Sequence, residues 1–370
     1  MRVAAAVLSD YGSLAVEELE LSDPGPGEVT VRLAAAGVCH SDYHVFCGDL
    51  PLPTPMVLGH EGAGVVAAVG AGVTAVRVGD AVVLSWLPAC GHCRACLAGR
   101  PELCAVPARA AQHGTLPDGT TRLRRPATGE PVFQFSLTGA FATHTVVPEA
   151  GAVRLPPGTD LELAALLGCS VLTGTGAVWR TARVQPGESV AVFGTGGVGC
   201  NVLTAARMVS AYPRIAIDVQ PGRLEAARAF GATHVIDAAR QSVLDQVLEW
   251  TGGEGVDAAF EVIGRPDTIA QAFNSTRAGG RTVVVGVSPP HLDVSLNAFA
   301  FPSQEKALVG SWYGQSTPAR DVPVLLRLQE AGALDLAALV SRRYRLDELE
   351  IAFDAMLAGS VNRGLIVLDV

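Results

Sequence analysis

The sequence predicts an α/β protein of two domains, a β-rich one followed by a doubly wound parallel sheet, on three observations. The 370 residues, 49% of them apolar, exceed what one hydrophobic core usually organises. Partway along, short apolar runs broken by Gly and Pro give way to buried-strand runs separated by helix-length segments. A glycine-rich turn follows one of those buried runs and opens a helical segment.

In the first third, EVTVRLAAAGV, GAGVVAAVG and RVGDAVVLSW read as short strands. Residues 105–133 hold few apolar clusters and the turn PDGTT, and read as a long excursion. Strand signals return in FATHTVV and AVRLP, and ELAALLGCSVLTGTGAVWRTA has helical period. Then SVAVF, RIAIDV, HVIDA, DAAFEVI and RTVVVGV alternate with segments such as RLEAARAF and SVLDQVLEW, the pattern of a parallel sheet covered on both faces. The tail adds two amphipathic helices, VPVLLRLQEAG and ELEIAFDAMLAG, and a last strand RGLIVLDV.

A net charge of −9 argues against a nucleic-acid partner, which needs a cationic face. No run of 18 apolar residues occurs, and the N-terminus lacks the basic start and apolar core of a signal peptide. A cytoplasmic protein without a membrane association is expected, and there thiols stay reduced. Metal binding is then the leading use for the cysteines. Cys90, Cys93, Cys96 and Cys104 have the spacing C-x2-C-x2-C-x7-C. Four thiolates fill every position of tetrahedral zinc, which makes such a site structural. The alternative is four free thiols in a loop.

In SVAVFGTGGVGC, Gly194, Gly196 and Gly199 form G-x-G-x-x-G between a strand and a helix. Glycine there lets backbone N–H groups and the helix N-terminus approach a pyrophosphate. Asp218, at the end of RIAIDV, stands where a carboxylate would bind the adenosine ribose and repel a 2′-phosphate, which predicts NAD. Arg223 just beyond it is read as a ribose-side or adenine-side contact.

Cys39, His60 and Cys169 offer two thiolates and an imidazole, a set that leaves zinc one open position as catalysis requires. Their spacing alone does not join them. At these residues the chain resembles the zinc-dependent alcohol dehydrogenases of the medium-chain dehydrogenase/reductase superfamily. VCHSDYH resembles the family's first-ligand segment, GHEGAGVVAAVGAGV its zinc signature and CGHCRACLAGRPELC its structural-zinc lobe. LLGCSVLTG resembles its third-ligand turn and FGTGGVG its cofactor loop.

The resemblance implies a GroES-like catalytic domain from residues 1–170 and 312–370, with a structural-zinc lobe at about 88–106, enclosing a Rossmann NAD-binding domain at 171–311. It implies two zinc ions per chain, the catalytic one on Cys39, His60 and Cys169. Glu61 lies behind that zinc and Asp42 orients His60. Alcohol ionised on zinc gives hydride to nicotinamide C4, and Ser41 and His44 carry its proton outward. For the cofactor, the resemblance adds Gly197 and Val198 of the loop, Thr173 beside the nicotinamide, and His40 and Arg363 on the pyrophosphate. Cys47 and Cys200 match no ligand and are expected to be buried packing thiols.

Leu50, Trp86, Phe135 and Ser136 match pocket-lining positions, and an indole near zinc crowds branched carbinols. The expected reaction is NAD-linked interconversion of primary alcohols and aldehydes, aromatic, allylic or linear. Residues 105–133 also resemble the loop of the longer, thiol-dependent formaldehyde dehydrogenases that use glutathione or mycothiol. A nicotinoprotein holding NAD(H) permanently is a further variant. The non-enzymatic alternative is a zinc-stabilised NAD-binding protein. The resemblance suggests a homodimer or tetramer acting on a small molecule.

Overall fold

The computed structural model describes residues 1–368. The chain divides into two compact units, Met1–Cys169 with Thr317–Val370, and Ser170–Ser316. Residues 312–316, expected with the tail, fold with the second unit. There the turn Tyr313–Gln315 lies on the helix Ser170–Gly176, and Ser316 Oγ donates to Leu172 O at 3.1 Å.

The first unit holds two β structures. One is a closed barrel of Arg2–Asp10, Ser13–Leu21, Leu123–Arg124, Pro131–Gln134 and Met56–Val57. The supposed excursion 105–133 therefore supplies two barrel strands and a helix, Ala105–Gln112. The other is a seven-stranded sheet with Glu28–Gly37 at its centre. That strand is buried at almost every position, because both its faces are covered, so its sequence runs apolar instead of alternating.

Three chain segments meet where this central strand ends. Gly37 pairs with Glu61, the first residue of Glu61–Val69, and also with Leu365 of Arg363–Val367. Beyond Gly37 the chain turns into the helix His40–Phe46, with Cys39 as N-cap. The register thus brings Cys39, His60, Glu61 and Arg363 to one sheet end, although more than 300 residues separate the outermost two.

The second unit is a six-stranded parallel sheet in the order His234–Asp237, Arg214–Asp218, Val190–Phe193, Val256–Glu261, Thr276–Val284, Ala307–Gly310. Chain order reverses beside Val190–Phe193, the position at which such sheets bind nucleotides. All four residues of that strand are buried, and each large apolar side chain so placed contributes about 1.5–3 kcal/mol. No single helix among the described residues is long and apolar enough to cross a membrane.

Candidate functional site

The helix His40–Phe46 carries the densest chemistry. Asp42 is fully buried, and its carboxylate accepts from Cys39 N at 3.1 Å, Gly59 N at 3.1 Å and His60 Nδ1 at 3.0 Å. A buried carboxylate persists when its acceptor positions are filled in this way. With Nδ1 held by Asp42, His60 Nε2 is left to ligate. Burial works against a charged ring, yet the Asp42 carboxylate outweighs it and raises His60 to about 10.

Donor atoms of Cys39, His60 and Glu61 all lie within 4.8 Å of one another and all three residues are buried. Cys169 joins them: its hydrogen bond is the main influence holding the Cys39 thiol well below its ordinary value, against burial. A thiol that ionises easily beside a fixed imidazole and a second thiol is a zinc-type donor set. Glu61 supplies a further sign that a cation belongs here. Its Oε1 takes Arg363 Nη2, while its Oε2 is buried without a partner. Gly37 leaves room for that carboxylate, since a Cβ there would stand 2.2 Å from Oε2.

Arg363 is only 5% exposed, with its Nη2 committed to Glu61. This ion pair was not visible in the sequence, where Arg363 stood only as a pyrophosphate contact. Ser41 Oγ lies 3.9 Å from Cys39 Sγ, and His44 follows one helical turn later, half-buried, with Nδ1 3.1 Å from Asp49 Oδ2.

The walls of the cluster are aromatic. The His60 ring meets Trp86 edge-on at 6.2 Å and Phe135 edge-on at 5.5 Å. Ser136 and Leu137 follow at φ 51° and 59°, a left-handed stretch that costs non-glycine residues about 1–3 kcal/mol each. Thr138 Oγ1 pins the segment by donating to Gly59 O at 2.9 Å, which holds Phe135 against the residue next to Gly59. Leu50 is half-buried beyond the same helix.

The four clustered cysteines also come together. Cys93 Sγ is 3.6 Å from Cys96 Sγ and 3.8 Å from Cys104 Sγ, and Cys90 completes a set within 4.8 Å. Sulfurs on one tetrahedral zinc stand about 3.8 Å apart, given Zn–S bonds of about 2.3 Å. Their acidities are divided: backbone hydrogen bonding to Cys96 leads in lowering Cys93 to about 6, and burial pushes Cys96 up to about 12. A metal would take all four as thiolates. His92 is exposed beside them, its Nδ1 on Cys90 O. Cys90→Ala is expected to lower the melting temperature by several degrees and to open residues 88–106 to limited proteolysis, with thermal unfolding and peptide mapping as the checks.

In the second unit a glycine turn joins a strand to a helix. Gly194 follows Val190–Phe193, its N–H on Ile217 O at 2.8 Å, and Gly197 starts the helix Gly197–Met208. A Cβ on Gly199 would lie 2.0 Å from Gly194 O, so only glycine closes this turn. A Cβ on Gly196 would meet nothing within 4 Å, which leaves the open cradle a pyrophosphate requires. Thr173 is buried on Ser170–Gly176, and the next residue, Gly174, packs against Val198 O.

Asp218 takes four donors from its own surroundings: Thr195 N and Oγ1 at 2.9 and 3.0 Å, Val219 N at 2.8 Å and Gln220 N at 3.0 Å. It braces the glycine turn, a role its sequence offset did not reveal. Arg223 stands half-buried in the first turn of Pro221–Ala229. Cys200 is buried as expected, and burial pushes its thiol up to about 12. Cys47 is not buried: it caps the end of the short helix His40–Phe46, where the chain leaves the core.

A dinucleotide-type parallel sheet and two clusters of zinc-type donors define a metal-dependent dehydrogenase. Comparison with known proteins agrees. The alcohol dehydrogenase GroES-like domain family matches residues 25–157, and the zinc-binding dehydrogenase family matches residues 197–330. A Mycobacterium tuberculosis protein bearing an alcohol dehydrogenase name is 38% identical over 99% of this chain and 100% of its own length. An Escherichia coli S-(hydroxymethyl)glutathione dehydrogenase is 37% identical over 99% and 100%. The crystal structure of benzyl alcohol dehydrogenase from Acinetobacter calcoaceticus superposes with a TM-score of 0.94 at 32% identity, covering 100% of both chains. The chain belongs to the zinc-dependent alcohol dehydrogenase family of the medium-chain dehydrogenase/reductase superfamily, oxidoreductases that work with zinc and NAD.

Proposed function

We propose that this chain interconverts primary alcohols and aldehydes with NAD, favouring aromatic, allylic or linear substrates. Cys39, His60 and Cys169 hold the catalytic zinc, and Cys90, Cys93, Cys96 and Cys104 the structural one. The observation that carries this reading is the buried Cys39–His60–Glu61 cluster with Trp86 and Phe135 edge-on to its imidazole. Zinc bound there supplies a Lewis acid that lowers the pKa of a substrate hydroxyl towards neutrality.

The side chains do the rest. Asp42 fixes the His60 tautomer and ring plane. Ser41 receives the substrate proton beside Cys39, and His44, half-buried in the last turn of the same helix, passes it to solvent. Trp86 and Phe135 exclude water, and with Leu50 and Ser136 they restrict the carbinol carbon to slender substituents. Gly194, Gly196, Gly197, Val198 and Gly199 cradle the pyrophosphate, Thr173 flanks the nicotinamide, and Asp218 with Arg223 faces the adenosine ribose. Arg363 and His40 supply positive charge towards the phosphates. Benzyl alcohol and hexanol should be oxidised at least tenfold faster, by kcat/KM, than matched secondary alcohols. Comparable rates in an NADH absorbance assay would count against the pocket assignment.

His40 is exposed and heads its helix. His40→Ala is expected to weaken NADH binding roughly tenfold, the worth of one hydrogen bond to a charged group. Fluorescence titration checks this, and unchanged affinity would remove His40 from the cofactor site.

The E. coli relative named for S-(hydroxymethyl)glutathione favours a second reading, oxidation of a thiol–formaldehyde adduct. Arg109, the cation on Ala105–Gln112, is exposed. Adding glutathione or mycothiol to a formaldehyde assay separates the two, and a steep thiol-dependent rise would favour the second. Reduced thiols in both clusters suit a cytoplasmic location. A homodimer joined through the outer edge of Ala307–Gly310, the last strand of its sheet, is the assembly this reading carries.

A further inference from the structure

Beyond the two zinc centres, one more group of donors converges. His44, Cys47 and Asp49 place an imidazole nitrogen, a sulfur and a carboxylate oxygen within 4.8 Å of one another. The local backbone explains why. His44 and Cys47 stand one helical turn apart at the end of His40–Phe46, so their side chains share a face. The chain then reverses at Gly48, where φ is +84°, and Leu50 N returns to His44 O at 2.9 Å. This reversal lays Asp49 back over the His44 ring. Tyr11 holds the turn from outside, its hydroxyl on Leu52 O at 2.9 Å, while Gly12 N donates to Phe46 O at 2.7 Å.

The separations suit a metal. His44 Nδ1 and Asp49 Oδ2 are 3.1 Å apart, close to the roughly 3.3 Å between two donors on one tetrahedral zinc with bonds of about 2.0–2.1 Å. Cys47 Sγ lies 3.8 Å from His44 O, on the same side of the turn. The side chains of His44 and Asp49 are 21% and 47% exposed and Cys47 is exposed, so an ion reaches them from solvent. One imidazole, one thiolate and one carboxylate select a thiophilic divalent ion over magnesium or calcium.

We propose that His44, Cys47 and Asp49 form a third metal site, for zinc or cadmium, and that filling it shuts the proton exit. The ion takes the lone pair of His44 Nδ1, displaces the Cys47 thiol proton to solvent and keeps a water in its fourth position. The neutral ring then holds its remaining hydrogen on Nε2 and has no lone pair with which to accept a proton from the Ser41 side. Excess zinc is therefore an inhibitor that acts outside the catalytic cluster. The inhibitory half of this inference rests on the proton-relay role given to His44 above; the site itself does not.

Cadmium serves as the probe, because its bonds to thiolate absorb in the ultraviolet. Zinc-loaded wild type and Cys47→Ser are titrated in parallel, with absorbance and benzyl alcohol turnover both followed. Wild type should take up one more cadmium per chain than Cys47→Ser, with a thiolate charge-transfer band the variant lacks. Its turnover should fall at least tenfold as that site fills and return on adding EDTA, while Cys47→Ser keeps its basal turnover throughout. Asp49→Asn, confirmed as folded by circular dichroism, should bind the additional ion at least tenfold more weakly. Equal uptake and equal spectra in wild type and Cys47→Ser would overturn the site, and uptake without loss of turnover would overturn the inhibition. The spectral difference decides the site even if the chain oxidises no alcohol, so failure of the functional reading stays distinguishable.

Discussion

Replacing Cys39 by alanine is expected to lower kcat/KM for NAD-linked alcohol oxidation by at least about a thousandfold. Lewis-acid activation of a hydroxyl is worth several kcal/mol, and each 1.36 kcal/mol is a factor of about ten in rate. Cys39 does more in the structure than present its sulfur. Its backbone N–H helps fill the Asp42 carboxylate, and its thiol is held in readiness for ionisation chiefly by Cys169. Alanine keeps the N–H and removes only the sulfur, so the His60–Asp42 geometry should survive and the loss should be catalytic. NADH absorbance gives the rate, and circular dichroism gives the fold. A variant that kept more than about a tenth of the activity would show that the metal is held elsewhere.

Arg363→Ala is expected to destabilise the first unit by about 3–5 kcal/mol, the usual cost of stranding a buried charge. Glu61 is fully buried, its Oε1 is answered by Arg363 and its Oε2 has no other partner. Removing the guanidinium takes away the hydrogen-bond partner of that buried carboxylate and leaves both of its oxygens unanswered. Glu61→Gln in the Arg363→Ala background should recover much of the loss, because a neutral amide tolerates burial better than an unpaired anion. Chemical denaturation of the two single variants and the double variant measures the coupling. Simple additivity of the two changes would mean that the pair does not act as a unit.

What the sequence disclosed followed from how local each feature is. The four lobe cysteines fall within 15 residues, so spacing alone proposed a tetrahedral site, and their sulfurs do converge. The strand, glycine turn and helix were legible for the same reason, being contiguous in the chain, whereas the bonds from Thr195 to Asp218 were not. Cys39, His60 and Cys169 span 130 residues, and only strand pairing at Gly37 and Glu61 explains how two of them meet. Resemblance, not periodicity, joined them in the sequence.

Other features were hidden because they depend on register or on side-chain reach. The strands that fall in or reach past residues 105–133 are Leu123–Arg124 and the four-residue Pro131–Gln134. Two residues carry no alternation to detect, and their pairing closes a barrel with partners far away in the chain. The Glu61–Arg363 pair links the first residues of two strands across 302 positions. Cys47 was expected to be buried because free cysteines usually are; the spacing His-x2-Cys-x-Asp around it was the signal that could have placed it with His44 and Asp49.

Zinc per chain, by elemental analysis of wild type, Cys39→Ala and Cys90→Ala, tests the division between the two clusters most directly. Freed of excess zinc by gel filtration, so that the solvent-accessible His44–Cys47–Asp49 group is empty, wild type should carry two zinc ions and Cys39→Ala one, with its lobe still resistant to proteolysis. Cys90→Ala should lose the lobe's ion and retain cluster zinc in whatever protein remains folded. One zinc in wild type, or an unchanged count in Cys39→Ala, would contradict this division.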